Sequence, residues 1–118
     1  MATRLTDAER DLRAGLIFTA LSDPTRRRLV RLLGERQTVT ASSLTDELPM
    51  TRQAITKHLT GLADAGLVAS ARSGRETHWS LTPAPLADAM AWMVTAGARW
   101  DDRLDRLERE LGSNSAHR

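Results

Sequence analysis

The stretch from Thr51 to Leu67 constrains the fold more than any other part of the chain. Ile55, Leu59 and Leu62 recur at spacings of four and three, which places them on one face of a helix. Thr51 is suited to cap the first turn, because its hydroxyl can accept a bond from an orphan backbone N–H. Gly66 stands where such a helix stops in a left-handed conformation. The opposite face carries Arg52, Gln53, Thr56 and Lys57. One apolar face and one donor-rich face suit a helix that docks on a core and offers its outside to an anion. The major groove of double-stranded DNA is wide enough to admit it. An ordinary amphipathic surface helix is the competing reading, and the flanking segments decide between them.

Upstream, Thr6 and Glu9 fit a capping box. A helix follows to about Leu21 and carries Leu12, Leu16, Ile17, Phe18 and Leu21. Asp23-Pro24 opens a second helix with an N-cap and a proline at the first helical position. That helix carries Leu29, Val30, Leu32 and Leu33 and is expected to stop at Gly34, before a polar connection over 35–39. Thr40 caps a short helix expected to end near Leu48, and Pro49-Met50 turns the chain into Thr51. Two short helices joined by a tight turn, the second donor-rich, make a helix-turn-helix. Downstream, residues 67–72 and 77–81 read as two strands, with Thr77, Trp79 and Leu81 in alternation. Ser73-Gly-Arg-Glu76 forms the turn between them. A hairpin directly after a recognition helix is a wing. Arg72 and Arg75 flank its tip, within reach of the adjacent minor groove or backbone phosphates.

Pro83 and Pro85 open a last helix, expected to run to about Leu111. Trp92, Met93, Trp100, Leu104, Leu107 and Leu111 give it an apolar stripe longer than a small domain needs to cover its own core. The first helix, with Leu12, Leu16 and Phe18, is the natural partner for that stripe in a homodimer. The expected fold is therefore mainly α with a small β-hairpin wing, a winged helix-turn-helix of order α-α-α-α-β-β-α. It is read as a single domain over 1–118. Residues 6–39 form the N-terminal helices, 40–65 the helix-turn-helix, 67–82 the wing and 83–111 the dimerisation helix. Residues 1–5 are expected to be loose and 112–118 a flexible tail.

Composition narrows the function. The 118 residues suffice for one domain with a modest core. There is no cysteine, which removes disulfides, thiolate metal sites and cysteine nucleophiles and fits a cytoplasmic location. No apolar run approaches a membrane span, and the first residues contain no hydrophobic signal core. Seventeen basic residues stand against 15 acidic ones, so the placement of charge matters more than its total. No nucleophile–base pair, phosphate loop or carboxylate dyad is visible, so an enzyme is not expected.

From Leu21 to Leu33 the chain reads LSDPTRRRLVRLL. Then come TRQAITKHL over 51–59, AGLV over 65–68, RSGR over 72–75 and WSL over 79–81. In this order the segments resemble the ArsR family of winged-helix repressors over roughly residues 12–82. The resemblance implies a homodimer whose first and last helices pair across a two-fold axis. It implies that Thr51, Arg52, Gln53, Thr56 and Lys57 face DNA and that the hairpin is the wing. Trp79 replaces the family's usual tyrosine. The family's metal sensors place thiolates in the helix that here reads ASSLTDEL over 41–48, or Asp and His ligands on a last helix that here has no histidine before His117. The chain therefore resembles the metal-independent, SdpR-like branch, and no metal or cofactor is implied.

Other candidates have plainer readings. His58 and His78 lack a third ligand and make a poor zinc site; packing or capping histidines are the alternative. Asp101, Asp102 and Asp105 alternate with Arg99, Arg103 and Arg106, which suits a solvated, ion-paired face better than a cation site. Arg26, Arg27, Arg28 and Arg31 suit ion pairs or solvation better than phosphate contact. Trp92 and Trp100 suit a core or interface better than an effector pocket. The expected function is a homodimeric, sequence-specific transcriptional repressor, with double-stranded operator DNA and a second copy of itself as partners and an effector left open. A winged-helix protein-interaction module and a non-specific architectural DNA binder are the alternatives. The first would show acidic or apolar residues on the exposed recognition face, and this chain shows neither.

Overall fold

The computed structural model describes residues 6–116, with side chains through Gly112; the segment 1–5 and the last two residues of the expected tail lie outside it. Five helices and one hairpin follow the expected order: α1 (Asp7–Ala20), α2 (Pro24–Glu35), α3 (Ala41–Leu44), α4 (Arg52–Asp64), β1 (Val68–Ser73), β2 (Glu76–Leu81) and α5 (Pro83–Ala116).

Each helix of the N-terminal half starts where a short polar side chain satisfies orphan N–H groups. Thr6 Oγ1 accepts from Glu9 N at 3.1 Å while Thr6 N donates to Glu9 Oε2 at 3.0 Å, the reciprocal pair of a capping box. Asp23 Oδ1 accepts from Thr25 N at 2.7 Å and Arg26 N at 3.3 Å. Thr40 and Thr51 accept from Ser43 N and Ala54 N, both at 3.1 Å. The end of α4 is fixed as firmly. Gly66 takes φ 83°, Leu67 N donates to Leu62 O and Gly66 N donates to Ala63 O, each at 2.9 Å. This is the Schellman arrangement, and its two apolar positions, Leu62 and Leu67, are both fully buried.

The core lies between α2, α3, α4 and the root of the hairpin. Leu29, Leu44, Ile55, Leu59, Leu62 and Leu67 have no exposed surface, and Ile17 from α1 joins them at 1%. The strands pair antiparallel from Val68↔Leu81 to Ser73↔Glu76, leaving a two-residue loop, Gly74-Arg75. Gly74 takes φ 64°, a positive angle at the first loop position, which suits the twist of a hairpin.

The structure departs from the sequence expectation at several element ends. The short helix stops at Leu44, not near Leu48: Thr45 and Glu47 donate backbone bonds three residues back, and the turn tightens before Pro49. Gly34 does not stop α2, which reaches Glu35. Gly112 does not stop α5, which continues through Ala116, so most of the expected tail is helical. Neither glycine takes a positive φ, and glycine in a helical conformation weakens a helix by about 1 kcal/mol without ending it. The polar connection before α3 hides a β-bridge. Val39 and Trp79 exchange backbone bonds of 3.0 and 2.8 Å, which adds a one-residue third rung beside β2.

The first half of α5 packs along α1. Ala89 is buried there, Trp92 Nε1 donates to Asp11 Oδ1 at 2.6 Å, and the Trp92 ring stands edge-on to Phe18 with centroids 5.5 Å apart. The second half leaves the body of the molecule, which extends 74 Å along its long axis. Among the described residues, no helix is long and apolar enough to cross a membrane.

Acid should loosen this fold. Burial alone would raise the Asp23 carboxyl, but the two backbone bonds from Arg26 and Thr25, with the charges of His58 and Arg26, outweigh it and hold its pKa below the ordinary 3.8. The side-chain bond from Arg36 likewise holds Glu47 below the ordinary 4.5. A carboxyl depressed in the folded state stabilises fully above its ordinary pKa and loses that contribution as pH falls through the folded value. The melting temperature should therefore fall as pH is lowered past about 4. Asp23→Asn keeps a capping side chain but cannot titrate, so its melting temperature should fall less steeply over the same range. Equal slopes in parallel thermal melts would show that Asp23 does not contribute to the acid sensitivity.

Candidate nucleic-acid interface

The two faces of α4 are cleanly divided. Ile55, Leu59 and Leu62 are sealed in the core, while Arg52, Gln53, Thr56, Lys57 and Thr60 are exposed. Thr51, at the N-cap, is exposed too, with its oxygen engaged by Ala54 N. Thr56 Oγ1 donates to Arg52 O and Thr60 Oγ1 donates to Thr56 O, each at 2.9 Å. The hydroxyl protons of both threonines are thus committed to their own helix. They offer a methyl group and an acceptor lone pair, not the donor that the sequence suggests. Thr60 is not in the set expected from sequence; its spacing of four from Thr56 on the same face is the signal that points to it.

The wing follows the pleat. Successive side chains alternate sides, so the register puts Arg72 and Thr77 on the side that buries Val68 and Trp79 at its root. Arg75 sits in the exposed loop. Glu76 and His78 project from the other side, where His78 Nε2 lies 3.3 Å from Glu76 Oε2. The hairpin therefore separates its charges: Arg72 stands on one side, Glu76 on the other.

Among the described residues, Arg52, Lys57, Arg72 and Arg75 form no salt bridge; Arg36 pairs with Glu47, and the imidazole of His78 lies beside the Glu76 carboxylate. Three arginines of the basic run on α2 are used internally. Arg27 Nη1 donates to Leu21 O and Ser22 O at 2.7 and 3.1 Å, closing the end of α1. Arg28 Nη2 donates to Glu47 O at 3.1 Å. Arg26 reaches across to Gly61 on α4. Arg31 is exposed. The expected ion-paired face around Asp101, Asp102 and Asp105 does not form among the described residues; these carboxylates are exposed to solvent, where pairing long side chains gains little. Nor does any group of three or more His, Asp or Glu side chains converge among the described residues.

A second exposed feature is apolar. Leu12 and Leu16 on α1, and Met90, Trp92, Met93, Val94, Trp100, Leu104, Leu107 and Leu111 on α5, are each at least 40% exposed. Met90 and Val94 are exposed apolar side chains of α5 outside the set expected from sequence. Phe18 is already half-buried against Trp92 within one chain, so it contributes less free surface than expected.

The profile of a helix-turn-helix domain family matches residues 21–71. The transcriptional repressor SdpR of Bacillus subtilis is 31% identical over 88 residues, covering 75% of this chain and 97% of that protein. The chain belongs to the ArsR family of winged helix-turn-helix transcriptional regulators. The HTH-type transcriptional regulator YuzN of the same bacterium is 49% identical over 65 residues, half of this chain and 71% of its own. Among solved structures, an ArsR-like transcriptional regulator from Rhodococcus sp. RHA1 superposes with a TM-score of 0.73 at 40% identity, covering 83% of this chain and 92% of that one. The family match over residues 21–71 includes α2, α3 and the whole of α4.

Proposed function

We propose that the chain acts as a homodimeric, sequence-specific repressor that blocks transcription by occupying an inverted-repeat operator. The observation that carries the reading is the pairing of a core-sealed α4 with an outer face on which Arg52, Gln53 and Lys57 have no partner among the described residues, beside a wing whose arginines likewise form no salt bridge there. α4 enters the major groove. Arg52 and Gln53 read base edges near its N-terminus, Thr56 and Thr60 offer methyls to thymine, and Lys57 takes a phosphate or base edge. Arg72 and Arg75 reach the adjacent backbone or minor groove. Phosphate contacts supply most of the affinity and base contacts the selectivity. That SdpR is a repressor supports the direction of regulation.

Four unpaired cations are few for specific binding at physiological salt, because each phosphate contact weakens as salt rises. A two-fold dimer doubles them, and the apolar stripe of α1 and α5 is the surface that forms it. Large exposed apolar patches of this kind mark association sites.

Arg52→Ala should lower affinity for the preferred operator by about 1–3 kcal/mol and relax preference at one base pair. Arg75→Ala should weaken binding to every sequence and lower the slope of log K against log salt by about 0.9 for each phosphate it no longer neutralises. Fluorescence anisotropy titrations at several salt concentrations measure both effects. Wild-type binding by two folded variants would place the DNA face elsewhere.

A further inference from the structure

Arg26 makes a contact with α4 that the DNA-facing residues do not account for. It occupies the third position of α2, is half-buried, and lays its guanidinium where a side chain at Gly61 would be. A Cβ built on Gly61 would stand 2.6 Å from Nη2, 2.8 Å from Cζ and 3.2 Å from Nε of Arg26. Its Nε is fully covered and has no hydrogen-bond partner. Half-buried His58, three residues before Gly61 on the same flank, also has a covered, unpartnered nitrogen, Nδ1. The carboxylate of Asp23, which caps α2, feels the charges of both. The start of α2 thus meets the flank of α4 through a polar contact built around one missing side chain.

The recognition helix needs such a contact. The fully buried Ile55, Leu59 and Leu62 fall within roughly 60° of arc at 100° per residue, and beside them only the small, partly buried Ala63 widens the packed face of the helix. A stripe that narrow fixes the position of the helix axis better than the roll about it. Gly61 lies one turn after Lys57, on the edge between the buried and outer faces. A roll of about 20° would move a side-chain tip at ~6 Å radius by about 2 Å, more than a base-edge hydrogen bond tolerates.

We propose that Arg26 is a positioning residue: seated on Gly61, it fixes the roll of α4 and so the aim of Arg52, Gln53, Thr56 and Lys57 at their bases. This rests on α4 being the DNA-reading helix. Alanine at 61 displaces only the flexible end of Arg26, so the fold survives, and alanine is the better helix former. Stability and selectivity should then move in opposite directions.

The test is a double-mutant cycle on the full chain, using operator selected from genomic fragments and an unrelated duplex. Gly61→Ala should keep or raise the melting temperature, weaken operator binding about tenfold, and leave binding to the unrelated duplex unchanged. Arg26→Ala should lose operator affinity similarly at an unchanged salt slope, and adding Gly61→Ala to it should cost nothing further. Wild-type operator binding by Gly61→Ala, or losses that add, would overturn the proposal. So would a uniform loss for Arg26→Ala with a salt slope lower by about 0.9, which would make Arg26 a phosphate ligand. If the wild-type protein prefers no sequence, the DNA reading falls and the free protein still decides the role of Arg26. Gly61→Ala should then shift the amide resonances of residues 52–60 well beyond the neighbours of 61, and the shifts should vanish in the Arg26→Ala background. Shifts independent of Arg26 would overturn the proposal.

Discussion

Leu104→Asp combined with Leu107→Asp is expected to turn a dimer into a folded monomer at micromolar concentration. Both leucines are 50% exposed in the single chain and touch no part of its core, so the substitutions remove nothing the winged domain needs. In a two-fold dimer each change counts twice. Fully burying a leucine is worth about 1.5–3 kcal/mol. Half of that for four half-covered side chains gives roughly 3–6 kcal/mol, before adding the cost of bringing carboxylates into an apolar seam. The dissociation constant should rise by about a hundredfold at least. Sedimentation velocity reads the change directly, and an unchanged far-UV circular dichroism spectrum confirms that the monomer is folded. Operator binding should fall with the dimer, because each half-site is then held by one recognition helix alone. A double variant that still sediments as a dimer would place the interface elsewhere.

Leu59→Ala is expected to cost about 2–5 kcal/mol of folding stability, and Thr56→Ala less than about 0.5 kcal/mol. The two residues lie three apart on one helix. Leu59 has no exposed surface and sits among Leu29, Leu44 and Ile55, so its loss leaves a cavity. Thr56 is exposed, and its hydroxyl bonds only to its own helix. In binding the order reverses. Thr56→Ala removes a methyl and an acceptor from the DNA face and should weaken operator binding while barely moving a urea melt. Leu59→Ala should shift the melt midpoint strongly, yet bind operator normally while it remains folded. A large stability loss from Thr56→Ala would show that its side chain is structural.

The parts of this fold that are legible in the chain are those set by local chemistry. Caps at Thr6, Asp23, Thr40 and Thr51 are short-range bonds between neighbours, and the glycine that ends α4 needs only its own φ. The sealed stripe of Ile55, Leu59 and Leu62 follows from helical period alone. What escapes a sequence reading depends on distant partners. Val39 looks like loop until Trp79, forty residues later, supplies its hydrogen bonds. Arg26, Arg27 and Arg28 look like a basic patch until α1, α4 and the segment after α3 come to meet them. Gly34, Gly66 and Gly112 look alike in sequence, yet only Gly66 has a backbone bond closing over it from Leu67. For the candidate site, residue type and spacing pick out the exposed outer face of α4, but only geometry shows that Thr56 has already used its donor. The stripe on α5 is legible by spacing, because its second half stays exposed among the described residues.

In the proposed dimer, two copies of α4 read DNA together. Sequencing the genomic fragments retained by the purified full-length protein tests it most directly. One enriched inverted repeat is expected, with half-sites about one helical turn, ~34 Å, apart, matching two recognition helices related by a two-fold axis. No enriched sequence, or a single asymmetric half-site, would contradict it.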